Sequence, residues 1–538
     1  MSLLTGAQAT IATLRAHGVN TIFGIPGVHT LSLYDGMRVE PGLRHILARH
    51  EQGAGFMAEG YARISGQVGV ACTITGPGVT NVATPVASAY SDSIPLLVIS
   101  TSLPRAASGQ QRGALHEIKH QLGVMESLAG WTRAVDFVEE IPTALQDAMR
   151  ALRAGRARGA YLQIPLDLLD LQAEMEIPDA VPCIPVTPSA KAIAAAAQVL
   201  RESRRPLIIA GAGVTAAGAN DQLIMLAELL NAPVLLGPKS HDVLPSDHPL
   251  AISTTGYSFA AALNDLTRAC DAVLVVGSKL GSVRTGGGRL VLPANLVHID
   301  IDPAEMGRNY PASVKVVADA RLALEALLHE LESAFPAERP ARTAEIAATR
   351  AALAAHAARL FGEDVALLDG VRAALPRDGV VVADMTMLGY ASATYLPVYE
   401  PRTYIHPTEL CTIGCGLPTA LGAKVAAPER PVVALCGDGG FLLNVGELAT
   451  AVQEKIDIVI VLFNDSTYTA VKNGQSARYG GRYISTDLVA PDYVALARAF
   501  GAEGVRAYDV HELQEAISAA QSRPGTTLIE VPLPPRQW

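Results

Sequence analysis

Short apolar runs that end in turn residues recur along the chain, separated by stretches with helical spacing. In the first 170 residues, TIFGIPG, VGVACTITG and IPLLVIS each stop at Gly, Pro or Ser, and GAYLQIPLD closes the series. Apolar runs of this length bounded by turn residues predict strands, and their alternation with helices predicts a parallel, doubly wound sheet. A second set, RRPLIIAGAG, APVLLG, DAVLVVGSKLG and LVHIDIDP, falls within 185–340 among Ala-rich helical stretches. A third, DGVVVADMT, PVVALCGDGG, IDIVIVLFND and TTLIEVPL, falls within 360–538. Its central strands are apolar on both faces, as a sheet covered by helices on two sides requires. The Ala- and Arg-rich run from Ala337 to about Leu360 has no strand pattern and is predicted as a helical connector. The expected fold is α/β, with three doubly wound parallel-sheet domains at 1–170, 185–340 and 360–538, the outer two alike.

Composition agrees and removes some functions. A chain of 538 residues, 49% hydrophobic and 17% charged, has ample material for buried cores, and a prior of ~150 residues per domain gives about three. A net charge of −10 without a long Lys/Arg run argues against a nucleic-acid surface. The start lacks a basic segment followed by an apolar run, and no stretch approaches the ~18 apolar residues of a membrane span. A soluble, cytoplasmic protein acting on a small molecule is expected. Among Cys72, Cys183, Cys270, Cys411, Cys415 and Cys436 the one close pair is C-x3-C, with no second pair to complete a zinc site. Cys411 and Cys415 are therefore expected to be small packed side chains.

The densest chemistry lies in the third domain. Gly437-Asp438-Gly439-Gly440 directly follows the run PVVALC, and the next apolar run ends at Asn464-Asp465-Ser466. A carboxylate and an amide at the C-terminal ends of neighbouring parallel strands face one crevice, where ligands bind in open α/β sheets. Hard oxygen ligands suit Mg2+, which keeps part of its octahedral shell as phosphate oxygens, so a diphosphate is its natural companion. GDGG alone is a common turn; the spacing adds to it.

Asn464 follows Asp438 by 26 residues with ELATA between them, and this arrangement resembles the fingerprint of thiamin-diphosphate enzymes. The resemblance implies that the side chains of Asp438 and Asn464 and the carbonyl of Ser466 bind Mg2+, with Gly437, Gly439 and Gly440 beside the diphosphate. The family usually carries two Asn in a row; here Phe463 takes the first place. RHEQGAGFMAEGYAR, with ITGPGVTN (Ile74 to Asn81) and AYSDSIPLLVIS, resembles the pyrimidine-binding domain of the same family. By itself Glu51 reads as a favourable charge at a helix start. Through the resemblance it matches the Glu that hydrogen-bonds N1′ of the aminopyrimidine, making the 4′-amino group acidic enough to lose a proton and take one from C2; an apolar setting would raise its pKa and help. In HPTELCTIGCGLP, Ile413 matches the bulky residue wedged between the two cofactor rings. The Cys411 carbonyl matches the acceptor of the 4′-amino group, at a position where relatives often carry Gly. VHIDIDPAEMG (Val297 to Gly307) extends the resemblance through the middle domain. The three domains are thus expected to be pyrimidine-binding, middle and diphosphate-binding. Since the family's cofactor bridges two chains, a homodimer or homotetramer with active sites between chains is implied.

As a whole the chain resembles the acetolactate synthase group more than yeast-type pyruvate decarboxylases. FGIPGVHTL, RHEQGAGFMAEGYAR, Leu115-His116-Glu117, DMTMLGY and His406-Pro407 are similar to bacterial 5-guanidino-2-oxopentanoate decarboxylases. The resemblance implies decarboxylation of a 2-oxo acid to an aldehyde. The alternative is an acetolactate-synthase-like carboligase joining the activated fragment to a second carbonyl, though the Arg- and Phe-containing pattern expected around such a channel is not found. His29, His116 and His406 are candidate proton donors, His116 preferred, each with an ordinary reading as a hydrogen-bonded structural residue. A cationic substrate could meet Glu117 or Asp384 bidentately, although acids beside loops are usually solvated. Ala210-Gly211-Ala212-Gly213, Gly277-Ser278-Lys279 and Gly286-Gly287-Gly288 could approach FAD or ADP, yet tight turns need the same glycines, and neither nucleotide is expected. A catalytically silent cofactor-binding paralogue is the reading from another class; the retained Glu51 argues against it, since holding metal needs only Asp438 and Asn464.

Overall fold

The computed structural model describes residues 2–180, 182, 184–254, 261–332 and 339–533. Cys183 and the first residues of the predicted connector, 337–338, lie outside them. The first domain contains β1 (Ser2–Thr5), β2 (Thr21–Gly24), β3 (Arg44–Leu47), β4 (Gly69–Thr73), β5 (Leu96–Ser102), β6 (Trp131–Ala134), β7 (Ala160–Pro165) and β8 (Gln172–Met175). Six form a parallel sheet in the order β3-β2-β4-β5-β7-β6, while β1 and β8 pair antiparallel as a separate ribbon. The middle domain contains β9 (Pro206–Ala210), β10 (Val234–Leu236), β11 (Ala251–Ser253), β12 (Ala272–Val276), β13 (Leu296–Asp300) and β14 (Val314–Val317), ordered β11-β10-β9-β12-β13-β14 and parallel throughout. The third contains β15 (Val380–Ala383), β16 (Tyr404–Ile405), β17 (Val432–Gly437), β18 (Val459–Asn464), β19 (Glu503–Arg506) and β20 (Thr527–Pro532), ordered β16-β15-β17-β18-β20-β19, also parallel.

Numbered from its own first strand, each outer sheet runs 2-1-3-4-6-5 and the middle one 3-2-1-4-5-6. The predicted likeness of the outer domains is therefore a shared topology. In each sheet the chain leaves two neighbouring strands in opposite directions, which opens a crevice at their C-terminal ends. Those crevices lie between β2 and β4, β9 and β12, and β15 and β17. The helix Thr343–Phe361 joins the middle domain to the third, within the stretch predicted as a connector.

The outer domains of the chain share one core, in which Phe23, Met57 and Tyr61 pack with Leu417, Leu421 and Leu462. Small residues let the helix Glu51–Ser65 cross the helix Gly416–Ala426 closely. A Cβ on Gly60 would lie 2.1 Å from the Thr419 carbonyl oxygen, and one on Gly422 would lie 1.8 Å from that of Met57. Either substitution would force the two helices apart, with the loss of well-packed apolar area.

Candidate active site

Three predicted residues meet around one turn of the first domain. His29 follows β2, and the turn Thr75–Gly78 follows β4, on the two sides of the crevice. His50 caps the helix Glu51–Ser65, its ring accepting from the Gln52 N–H at 3.1 Å, so Glu51 is the first helical residue. Asn81 donates to Glu51 Oε2 at 2.9 Å, and a Cβ on Gly78 would lie 3.3 Å from Glu51 Oε1. On the other side of the turn, a Cβ on Gly76 would lie 2.3 Å from the His116 carbonyl oxygen, and Gly76 has φ 68°, so glycine is needed twice over. The His116 ring lies 5.1 Å from that of His29, with Nδ1 3.2 Å from the Thr75 carbonyl. Burial, and secondly the neighbouring His116, hold the His29 imidazole below its ordinary pKa, and His29 Nδ1 is buried without a hydrogen-bond partner. Glu51 is half-buried in the single chain, not fully enclosed.

The third domain assembles a second group. The β17–β18 ladder pairs Gly437 with Phe463, which sets Asp438 and Asn464 side by side just past the paired positions. Phe463 is buried among Val381, Val433, Leu435 and Val461, on the core face of β18. The departure from the usual Asn-Asn pair therefore exchanges a core residue and leaves the crevice-facing Asn464 in place. Asp438 is 3% exposed, and its Oδ2 is buried without a hydrogen-bond partner. Burial first, and then Asp465, push its carboxyl up to about 6, while the Ser466 N–H and two nearer backbone N–H groups oppose the shift. An orphaned carboxylate oxygen in such surroundings fits a divalent cation, which would replace the missing partner. Asn464 Oδ1 accepts from the Ser466 N–H and hydroxyl at 3.2 Å each, and Ser466 has a left-handed φ of 53°. The Ser466 carbonyl accepts from the Leu488 N–H at 2.8 Å, which leaves one lone pair for a metal. No group of three His, Cys, Asp or Glu that could hold a metal occurs among the described residues, so the fit rests on this sparse set of one carboxylate, one amide and one carbonyl.

The loop that carries Cys411 and Ile413 leans on the same motif. A Cβ on Gly440 would lie 3.1 Å from Ile413 Cγ1, and one on Gly439 would lie 2.4 Å from the Tyr468 ring. Gly414 donates its N–H to Asp384 Oδ1 at 3.0 Å and accepts from Asn444 Nδ2 at 2.7 Å. Cys411 adopts a left-handed φ of 55°. Asp384 is buried beneath the loop, also accepting from the Met385 N–H at 2.7 Å, and burial pushes its carboxyl up to about 6. It thus holds the turn after Ile413.

Other candidates lie elsewhere. Glu117 accepts the backbone N–H groups of Gln111, Gly113 and Ala114 and so braces its own loop. His406 is buried at the end of β16, its Nδ1 2.9 Å from the Pro407 carbonyl, and burial lowers its pKa to about 4. Cys72, Cys270, Cys411, Cys415 and Cys436 are free thiols, and no helix among the described residues is long and apolar enough to cross a membrane.

The middle-domain crevice holds a cavity of about 560 Å³, lined among others by Gly211, Gly213, Gly277, Lys279 and Arg284. Glu51 and Asp438 are not in its wall, so this cavity and the predicted chemistry are separate. Gly286, Gly287 and Gly288 do not line it; their φ values of 60°, 73° and 84° make them a left-handed turn after a short helix. Where the cavity meets the outer domains, Asp92 receives Arg63 at 2.8 Å and Lys239 at 3.3 Å. These cations outweigh burial and keep its carboxyl below the ordinary range.

Sequence reasoning missed Asn81, Asn444, Glu447 and Glu530. Asn81 and Asn444 lie inside or just after the quoted motifs. Glu447 and Glu530 act across sequence gaps, Glu447 on residues 49 and 50 and Glu530 on Asn464 at 2.9 Å.

Known proteins match this architecture domain by domain. Residues 4–124 match the thiamine pyrophosphate enzyme N-terminal TPP-binding domain, 193–327 the central domain and 384–531 the C-terminal TPP-binding domain. The chain is 40% identical over 536 residues to a probable 2-ketoarginine decarboxylase of Pseudomonas aeruginosa, covering 98% of this chain and 94% of that one. It is 32% identical to a probable acetolactate synthase large subunit of Methanocaldococcus jannaschii, over 99% of this chain and 93% of that one. It is also 32% identical to the acetolactate synthase isozyme 3 large subunit of Escherichia coli, over 97% and 92%. With three domains matched in order and identity sustained along the whole length, the chain belongs to the thiamine pyrophosphate enzymes.

Proposed function

We propose that this protein is a Mg2+- and thiamin-diphosphate-dependent decarboxylase that converts a 2-oxo acid to an aldehyde. Its proposed substrate is 5-guanidino-2-oxopentanoate, also called 2-ketoarginine, and it acts in the cytoplasm as a homodimer or homotetramer with active sites between chains. When bound, the cofactor supplies the C2 carbanion that adds to the 2-oxo group and accepts the electrons as CO2 leaves. Asp438 Oδ, Asn464 Oδ1 and the Ser466 carbonyl hold Mg2+, while Gly437, Gly439 and Gly440 leave room for the diphosphate. Glu51, oriented by Asn81, hydrogen-bonds N1′. Ile413, propped by Gly440, sets the bend of the cofactor, and the Cys411 carbonyl accepts from the 4′-amino group. His116, with His29 beside it, delivers the proton that completes the aldehyde.

The observation that carries this reading is the Asn81–Glu51 pair, which holds an acid at the helix start where activation requires one, in addition to the metal set. Metal binding alone would not need Glu51, so a silent paralogue is the weaker reading. The higher identity to the 2-ketoarginine decarboxylase than to the acetolactate synthases favours decarboxylation over carboligation. The guanidinium partner is open: Glu117 already binds three N–H groups, and Asp384 lies under the Ile413 loop. Neither FAD nor ADP has a part in the proposed reaction. The test is to incubate the protein with thiamin diphosphate, Mg2+ and a panel of 2-oxo acids, following CO2 and identifying products by mass spectrometry. The guanidino aldehyde is expected; acetolactate from pyruvate would transfer the assignment to a carboligase, and no CO2 from any acid would overturn it.

A further inference from the structure

Glu447 is 1% exposed, yet its carboxylate is spent on another domain. Oε1 accepts the His50 N–H at 3.0 Å and the Arg49 N–H at 3.1 Å, and Oε2 accepts the Thr450 hydroxyl at 2.6 Å. These N–H groups belong to the two residues directly before Glu51. A Cβ on Gly53 would lie 2.1 Å from Oε1, so the first turn of the Glu51 helix leaves out a side chain at the point where this carboxylate enters. Burial raises the Glu447 pKa, and the hydroxyl and the two backbone N–H groups oppose the rise. A negative group against N–H donors at a helix start is favourable, and burying it there is warranted only where those donors are held in return.

The grip is wider than one residue. Along the same face of the helix Glu447–Gln453, the Thr450 hydroxyl lies 3.2 Å from the Leu47 carbonyl, and the Arg49 guanidinium donates to Gln453 Oε1 at 2.6 Å. At the next residue, Glu454 Oε1 accepts the Leu47 N–H at 3.4 Å. Positions three and four apart share a helix face, so one stripe clasps the whole strand-to-helix link 47–50. That helix begins just after the Gly437–Asn444 segment that carries Asp438 and the Ile413 support.

We propose that Glu447 is a positioning residue for Glu51: its carboxylate fixes the two peptides from which the Glu51 side chain is aimed. This rests on the reading of Glu51 as the N1′ partner. The test compares Glu447→Gln, Thr450→Val and Glu51→Gln with the native protein. In the cofactor-free protein, amide hydrogen exchange of the peptide spanning 47–53 should be faster in Glu447→Gln, because a neutral amide oxygen holds the two backbone donors more weakly than the carboxylate oxygen it replaces. With thiamin diphosphate and Mg2+ saturating, the C2–H exchange rate of the bound cofactor should fall about 10- to 100-fold, the range for a displaced supporting group. Cofactor affinity by calorimetry should stay within about threefold. Thr450→Val removes one donor to the same carboxylate without removing the charge, and should give a smaller loss of the same kind. If Glu51→Gln abolishes C2–H exchange while both other variants exchange at the native rate, Glu447 is only a brace between domains and the proposal falls. If Glu51→Gln itself exchanges at the native rate, the role of Glu51 is wrong, and this proposal falls with it for that separate reason.

Discussion

Asn464 Nδ2 donates to Glu530 Oε1 at 2.9 Å, which turns the amide oxygen of Asn464 toward Ser466 and the Asp438 side of the crevice. Glu530, 3% exposed on β20, is itself held by Arg506 through Oε2 at 2.8 Å. A groupwise hold of this kind decides which end of an amide a metal meets. Glu530→Gln can present its own NH2 to Asn464 and so permits the amide to flip. The expected result is that thiamin diphosphate binding needs about 10- to 100-fold more Mg2+, roughly the loss in metal affinity found when groups that orient metal ligands are removed. Asp438→Ala, which deletes a proposed ligand, should weaken binding further, with partial recovery at high Mg2+. Calorimetry across a Mg2+ series measures both, and native affinity in Asp438→Ala would dismiss the metal assignment outright.

The backbone at residue 411 allows a second check. Cys411 occupies the left-handed region at φ 55°, and its thiol donates to the Thr408 carbonyl at 2.8 Å. The proposed contact to the cofactor is made by its carbonyl, which any residue supplies. Cys411→Gly should therefore keep turnover close to native and relieve about 1 kcal/mol of backbone strain, less whatever the thiol contact contributes. Cys411→Val places a β-branched residue where it is least tolerated and should lower both melting temperature and turnover. Equal kinetics in the two variants would mean that the backbone geometry at 411 does not matter to the reaction.

Much of this was readable from residue order because the central strands are long apolar runs, and because Gly437–Gly440 and Asn464 fall at strand ends that a parallel sheet must bring together. The edge strands β3, β6 and β14 were not, since they are short and only partly buried, so neither their periodicity nor their composition separates them from loops. The β1–β8 ribbon escaped because its two strands lie far apart in the sequence. Glu447 opens ELATA and Glu530 lies within TTLIEVPL, but neither could be read as a site residue. Their partners are main-chain N–H groups and one amide tens to hundreds of residues away, and a buried carboxylate bound to peptide groups leaves no pattern in side-chain identity. The glycines, by contrast, overstate: those at 286–288 resemble a phosphate loop and make only a turn.

His241, at the joint of the middle and third domains, should be one source of acid sensitivity, beside the similarly buried His406. His241 is 1% exposed, its Nε2–H donates to the Leu396 carbonyl at 2.8 Å, and its Nδ1 is buried without a partner. Burial lowers its pKa from 6.5 to about 4. The folded protein thus excludes a proton that the unfolded chain accepts, so the stability contribution is complete above pH 6.5 and is lost as pH falls through about 4. His241→Gln can still donate to Leu396 but does not titrate. Its melting temperature should be less sensitive to acidification across this window, by an amount corresponding to on the order of 3 kcal/mol. Parallel curves for the two proteins would place the acid sensitivity elsewhere.

The His29–His116 pair makes the sharpest demand on the proposed proton donor. Two imidazoles 5.1 Å apart resist being charged together, and His29, already below its ordinary pKa through burial, is held lower by His116. His116→Asn removes that second cause and leaves the first, so the His29 titration should move up but stop short of the ordinary value. Ring-carbon NMR of labelled histidine reads this directly in the cofactor-free protein. The same variant should lose turnover at the aldehyde-forming step while C2–H exchange of the bound cofactor stays native, because Glu51 and the third-domain set are untouched. An upward move of His29 with full turnover would leave the pair as an electrostatic neighbour of the site and pass the proton delivery to another group; loss of exchange as well as turnover would mean that His116 supports the Thr75–Gly78 turn on which Glu51 also depends.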